Sequence, residues 1–573
     1  MWWVAGRALV SVFVLAACSN EPAPPPTPVY PPMPAPLNPP PGPAPGDNTV
    51  RPGTVDLDRQ PPTDVVGVSG GASCSGCDVI VISLCSLRRD HVGAYGAIAG
   101  LTPSIDRIAA EGVRFDSAYA ASNFTLSGLT AELTGRFGSS TGVLGWGKGL
   151  ATGVPTLPEV LGLYGYRTGA FTIDAASGLR PDYGLDRGFQ RMVVIAPPRD
   201  TPDGRHGGGE VGAGGASAAP AVTWIAAQPA DRPIFALFHS RTAHFPFVIT
   251  DEGATEDPTG VLLALWDEGK SGTARAAMPG MAGGNAFGGL VGGGGDDATR
   301  LTRQAGAAGV AIWRREYAKA VARMDRDVAV LYAALEARGR LDRTVIVVVA
   351  DHGESLDDNG ELLHGGTYFD DAVHVPLVVR VPGVPVGATN ALVSHVDLLP
   401  TILELVGATP PATIDGVSMR PLLTDPAAVI RSTTLVEGGA TSMMGAEPAG
   451  AVIAPPWALL HQSFPCSRAD LREGGLGHPG ALPPPPPGGP APGSQVLGPP
   501  VLHNCLFDLD ADPEQQRDLA AANPDVVSGL LARWKGYREA VAGRSVAREL
   551  QLDPAFIELL RRTGYDFSQP PTR

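Results

Sequence analysis

Thr344-Val-Ile-Val-Val-Val-Ala350 runs directly into Asp351-His352-Gly353-Glu354, and the reading of this junction decides the fold. An unbroken β-branched apolar run of this length has the pattern of a strand buried on both faces. Similar runs are Asp78-Val-Ile-Val-Ile-Ser-Leu84, Pro233-Ile-Phe-Ala-Leu-Phe238 and Val375-Pro-Leu-Val-Val-Arg-Val381. Helical patterns lie between them: Thr102 to Glu111 ahead of Gly112, Leu157 to Leu163, and the longest from about Ala311 to Ala337. Strands alternating with helices predict an α/β protein whose mostly parallel sheet is covered on both faces.

In such a sheet ligands bind beyond the carboxyl ends of the strands. The first run ends in Leu84-Cys85-Ser86, the second in Phe238-His239-Ser-Arg241-Thr-Ala-His244, and the third in Asp351-His352. A carboxylate and an imidazole suit zinc or manganese, and Gly353 allows a sharp turn after the strand. On these residues alone, the pair is either a metal site or a polar strand-to-loop transition. Thr125 opens the helical stretch Leu126-Ser-Gly-Leu-Thr-Ala-Glu-Leu133, which closes at Gly135. A hydroxyl there is either a helix cap or, with a metal nearby and the helix dipole behind it, a nucleophile.

Away from this core, the sequence divides by composition. Residues 19–65 include Pro24-Pro-Pro-Thr-Pro28 and Pro39-Pro-Pro-Gly-Pro43, a proline-rich tether that cannot bury a core. Residues 66–384 form the expected main α/β domain, interrupted by a Gly-rich insertion at about 255–308 and a shorter one from Gly207 to Gly215. Residues 385–573 should complete that domain and add a smaller C-terminal α+β subdomain. The net charge of −15 argues against nucleic acid as a partner. An anionic substrate would then need local positive charge in its pocket.

Six cysteines are present. Cys74 and Cys77 form a CxxC with no second pair to complete a zinc ribbon, so a local disulfide is expected. Cys466 and Cys505 flank a Pro/Gly-rich excursion, Pro483 to Pro500, whose base they would staple. Cys85 is left over. It lies roughly 26 Å of strand beyond Cys77, whereas a disulfide needs Cα atoms within about 7 Å.

At the amino end, Arg7 precedes the apolar stretch Ala8 to Ala17, too short to span a bilayer. Leu15-Ala-Ala-Cys18 resembles the lipobox of bacterial lipoproteins. That resemblance implies a signal segment over residues 1–18 that is cleaved before Cys18, lipidation of Cys18 and a membrane anchor in the bacterial cell envelope. Ser19 implies the outer membrane, periplasmic or surface-facing. A plain signal peptide with an incidental cysteine is the alternative.

Ser86-Leu-Arg88-Arg-Asp90-His91-Val-Gly93-Ala-Tyr-Gly96 resembles the opening block of sulfatases, within the alkaline-phosphatase superfamily. Thr102-Pro-Ser-Ile-Asp106-Arg107-Ile-Ala-Ala-Glu111-Gly112-Val-Arg114-Phe115 is similar to the next block, followed by Leu133-Thr-Gly-Arg136 and Gly165-Tyr-Arg-Thr168. His244-Phe-Pro246, Asp351 to Glu354, His364-Gly365, Val375-Pro-Leu377, His395 to Thr401 and Leu506 to Glu514 continue the series in order. The resemblance implies an alkaline-phosphatase-like, mixed but mostly parallel sheet between helices. It assigns Thr125 to the nucleophile slot and Asp351 and His352 to the metal. His244 and His364 are assigned to face the substrate anion.

Two departures shape the expected chemistry. Sulfatases mature a cysteine or serine in Cys/Ser-x-Pro-x-Arg into formylglycine, but this chain reads Thr125-Leu-Ser127-Gly-Leu129. Threonine cannot become formylglycine. It resembles instead the phosphodiesterases and phosphotransferases of the superfamily, which pass through a phospho-threonine. Cys85 also stands where the family has a metal-binding aspartate. Either Cys85 joins Asp351, His352 and Thr125 around one divalent ion, with zinc or manganese favoured over calcium, or the metal site has decayed. The expectation is a hydrolase or transferase of sulfate or phosphate esters, with phosphoester chemistry favoured. The alternative is a catalytically inactive lipoprotein that serves as a binding or envelope scaffold.

Overall fold

Every residue of Asp78–Leu84 is buried, so this run needs partners on both edges and cover on both faces. The computed structural model describes residues 72–173, 178–195, 218–245, 306–439, 449–462, 465–466, 502–544 and 547–550. The signal segment with Cys18, the tether, the Gly207 to Gly215 run, most of the insertion and the Pro483 to Pro500 excursion lie outside the described residues.

The chain order begins β1 (Asp78–Leu84), α1 (Pro103–Ala110), β2 (Val113–Tyr119), α2 (Thr125–Thr134), α3 (Gly138–Thr141) and β3 (Lys148–Gly149). It continues α4 (Leu157–Leu163), β4 (Arg167–Ile173), β5 (Arg191–Ile195), α5 (Ala219–Ala227) and β6 (Ile234–Ser240). Next come α6 (Gly306–Ala337), β7 (Thr344–Val349), β8 (Ser355–Leu356), β9 (Leu362–Leu363), α7 (Asp370–Val373), β10 (Leu377–Arg380), β11 (Gly387–Ser394) and α8 (Leu398–Leu405). The last are β12 (Thr434–Glu437), β13 (Gly450–Ala454), β14 (Trp457–Gln462), β15 (His503–Asp508), α9 (Pro524–Val541) and β16 (Arg548–Glu549).

Eight strands form the main sheet in the order β11-β2-β10-β7-β1-β6-β4-β5. Only β10 runs antiparallel to its neighbours, β2 and β7. The chain returns from β7 to β10 without a long crossover helix, and a parallel pairing needs one. The sheet is therefore mixed and mostly parallel. The apolar runs of the sequence mark β1, β6, β7 and β10 but not β2, β4, β5 or β11, and several boundaries differ from the sequence reading, β10 starting at Leu377 instead of Val375. The second strand reaches past Phe238 to Ser240, and α6 starts at Gly306, five residues before Ala311, absorbing the end of the expected insertion.

Alternation along β1 sorts its side chains between two cores. Val79 and Val81 join Phe235, Leu237, Val345 and Val347 beneath Leu126, Leu129 and Leu133 of α2. Ile80, Ile82 and Leu84 join Trp313, Tyr317 and Met324 of α6 on the other face. Each such side chain contributes about 1.5–3 kcal/mol when fully buried. α2 itself is buried along its length and ends at Gly135, whose φ of 66° terminates the helix.

A second, antiparallel sheet of order β12-β13-β14-β15 packs against Leu530 and Trp534 of α9. Disulfides join Cys74 to Cys77 and Cys466 to Cys505, leaving Cys85 free and buried. Among the described residues no helix is long and apolar enough to cross a membrane.

Candidate active site

The register of the central strands gathers polar groups under α2. Ser83 on β1 lies level with His239 on β6 and Val349 on β7, and His239 lies level with Thr172 on β4. Residues level across parallel strands face the same side, as do residues two apart. Thr172, His239, Ser83 and Cys85 therefore continue the face that Phe235, Leu237, Val79 and Val81 begin. The chain turns immediately after Cys85. Ser86 takes a left-handed φ of 61°, a conformation unusual for serine. Its carbonyl accepts the Tyr317 hydroxyl at 2.6 Å, and its N–H reaches Asp351 Oδ1 at 3.3 Å.

Cys85, Asp351 and His352 each offer a donor atom within 4.8 Å of the others, and all three are fully buried. His352 donates Nδ1–H to the Gly353 carbonyl at 2.7 Å, so in the neutral ring Nε2 carries the lone pair. That is the tautomer a metal ligand needs. The helix cap before α2 is Phe124, and Thr125 is the first helical residue. Its hydroxyl turns instead to His352 Nε2 at 3.1 Å and Cys85 Sγ at 3.5 Å. The thiol also lies 3.7 Å from His352 Nε2. A thiol, a carboxylate and an imidazole beside a hydroxyl match the ligands of zinc and lack the all-oxygen character that calcium prefers.

Electrostatics sharpen the picture. Burial opposes charge on Asp351, yet His352 and His239 hold its carboxyl well below the usual range. Burial and the Asp351 carboxylate push the Cys85 thiol up. Neutral Cys85 would have to lose its proton to ligate a cation.

His244 and His364 join the same cluster. Their rings are 4.7 Å apart, and His364 lies 4.1 Å from the His352 ring. His364 Nδ1 meets Glu354 Oε1 at 3.1 Å, and burial pushes Glu354 up to about 8. His244 donates Nδ1–H to the Phe245 carbonyl at 2.5 Å, while burial and Arg241 push its pKa well below the ordinary value. The fold thus brings Cys85, Thr125, His244, Asp351, His352 and His364 together. Cys18 lies outside the described residues.

Four neighbours had not been singled out from the sequence. His239 contacts Asp351, Glu354 holds His364, buried Arg241 supplies positive charge beside Cys85 and His244, and Glu132 of α2 accepts the Ser83 hydroxyl at 3.2 Å. Only His239 had a readable signal: the two-residue period Phe235, Leu237, His239 continues an apolar face with an imidazole.

A sulfatase family model matches residues 78–408. An extracellular sulfatase, the SULF-1 homolog of Drosophila melanogaster, is 42% identical over 101 residues, 17% of this chain and 9% of that protein. Arylsulfatase A of Bos taurus is 25% identical over 408 residues, covering 62% of this chain and 69% of the relative. Among solved structures, the phosphonate monoester hydrolase of Agrobacterium radiobacter superimposes with a TM-score of 0.55 at 18% identity, over 84% of this chain and 98% of that one. At that identity the likeness is one of fold.

Proposed function

This chain belongs to the sulfatase family, and from that premise we propose that it is a metal-dependent ester hydrolase or transferase working on phosphoesters through Thr125. The observation that carries this reading is the Thr125 hydroxyl, 3.1 Å from His352 Nε2 and 3.5 Å from Cys85 Sγ at the start of a helix. Cys85, Asp351 and His352 would hold one zinc or manganese ion. Bound there, the ion would supply Lewis acidity that lowers the hydroxyl's pKa.

Thr125 Oγ1, its proton lost to solvent before attack, forms a bond to phosphorus as the bond to the leaving oxygen breaks. The N-terminus of α2 favours the negative charge that gathers at this point. At neutral pH Glu354 keeps its proton on the bond to His364 Nδ1, because burial pushes it up to about 8. His364 then presents Nε2–H, a donor for the leaving oxygen. His244, held neutral by burial and Arg241, suits the opposite task of taking a proton from the water or alcohol that releases the phospho-threonine. Arg241 gives the anion its countercharge within a protein of net charge −15. Lipidation of Cys18 would tether the enzyme in the bacterial envelope, with the outer membrane as the expected address.

A second reading is a catalytically inactive sulfatase-fold lipoprotein. Cys85, a buried thiol in a position where the family has aspartate, favours it. Elemental analysis and an aryl ester panel on the intact chain separate the two. The enzyme should hold about one zinc or manganese and turn over aryl phosphate or phosphodiester faster than aryl sulfate. A chain that stays metal-free after reconstitution and turns over none of these esters is the scaffold.

A further inference from the structure

Beneath the three donors lies an imidazole that the chemistry above does not use. His239 is the penultimate residue of β6 and has no exposed surface, on a face otherwise lined by Phe235 and Leu237. Burying a polar ring there is costly unless both nitrogens find partners. They do. Nδ1 lies 3.2 Å from Thr172 Oγ1, and Nε2 lies 3.3 Å from Asp351 Oδ2. An ionised carboxylate only accepts, so Nε2–H donates to Asp351 Oδ2, while Nδ1 shares a hydrogen bond with the Thr172 hydroxyl.

We infer that His239, oriented by Thr172, is a positioning residue of the metal centre that aims the Asp351 carboxylate at the ion. The inference rests on the reading of Cys85, Asp351 and His352 as metal donors. Asp351 Oδ1 is already held by two backbone N–H groups, from His352 at 2.8 Å and Ser86 at 3.3 Å. With Oδ2 held by His239, both oxygens are fixed from the protein side. Their remaining lone pairs are thereby set in one direction. A ligand carboxylate left unheld would rotate and lose part of its affinity for the cation. Groups that orient a ligand in this way typically contribute 10–100-fold to metal affinity. The relay spans β4, β6 and the end of β7, so it exists only because the strand register places Thr172 beside His239.

The test is chelator competition for zinc on the intact chain, together with the absorption spectrum of its cobalt(II) form and a melting curve for each variant. His239→Ala should weaken zinc binding ~10–100-fold. His239→Gln, whose amide can still donate to Asp351, should recover most of that loss and keep the wild-type cobalt spectrum. Thr172→Val, which keeps the shape and removes the hydroxyl, should give a smaller loss with an unchanged melt, and it carries the test if His239→Ala fails to fold. Wild-type zinc affinity in both His239→Ala and Thr172→Val would reduce His239 to a packing residue and overturn the inference. A cobalt spectrum altered in His239→Gln as strongly as in His239→Ala would make the ring a direct ligand, which also overturns it. A wild-type chain that takes up no zinc or manganese overturns the metal-centre reading itself, and this inference with it.

Discussion

Gly128→Ala is the perturbation whose consequence follows most directly from the geometry. A β-carbon at this position would sit 2.6 Å from the Asp351 carbonyl oxygen, where ordinary contact begins at 3.4 Å. Helix α2 and the loop after β7 must then part by about 0.8 Å, an overpacking strain of about 1–3 kcal/mol. Thr125 lies one turn earlier on the same rigid helix, so its 3.1 Å contact with His352 opens by a similar amount. A misplacement near 1 Å costs about 10²-fold in rate when reacting groups must align. The assay is turnover of an aryl phosphate by the intact chain, with a melting curve alongside. We expect kcat to fall ~10–100-fold and the melting temperature to drop. Were α2 free of Asp351, alanine would instead stabilise the helix by about 1 kcal/mol relative to glycine. A raised melting temperature with unchanged kcat would refute the close approach and the positioning argument built on it.

Thr125→Ala should reduce turnover by ~10³-fold or more while costing only about 1 kcal/mol for the lost buried hydrogen bond; steady-state kinetics with full residual activity would remove Thr125 from the mechanism. Cys85→Asp should raise activity with manganese or magnesium by hardening the donor set, and metal titration that finds binding untouched would show that Cys85 is no ligand. His395 is buried, donating Nε2–H to the Ala350 carbonyl at 2.9 Å, and burial lowers its pKa to about 4. Its folded value lies below the unfolded value of about 6.5, so its contribution is complete above that pH and is lost as pH falls toward 4. The loss is on the order of 3 kcal/mol. His395→Gln should flatten the melting temperature across this window, and parallel curves for the two proteins would contradict the assignment.

Four of the eight strands of the main sheet, β1, β6, β7 and β10, were legible because unbroken apolar runs leave few alternatives, whereas β2, β4, β5 and β11 carry interspersed polar or small residues and were not; the Asp351-His352 pair was legible because it closes one of the apolar runs. The direction of β10 was not, since direction depends on the connection and not on the strand's own residues. Thr125 stood between cap and nucleophile in the sequence; the structure makes Phe124 the cap and turns the Thr125 hydroxyl toward His352, the placement on which the nucleophile proposed above rests. His239 was hidden by ending its strand at Phe238. One more residue of extended chain carries the apolar face onto an imidazole, but its partners, Thr172 and Asp351, are visible only through the register of the sheet. Glu132 looks like an ordinary helix charge. It is buried with the rest of α2, and its partner there, Ser83 of β1, lies some distance back along the chain.

The proposed chemistry turns on the Thr125 oxygen bonding to the substrate's phosphorus. Acid-quenching the intact, metal-loaded chain during turnover of an aryl phosphodiester, then mapping its peptides by mass spectrometry, tests this directly. A phosphoryl adduct is expected on the peptide containing Thr125, absent from Thr125→Ala. Sustained turnover with no adduct there, or with one on another residue, would contradict it.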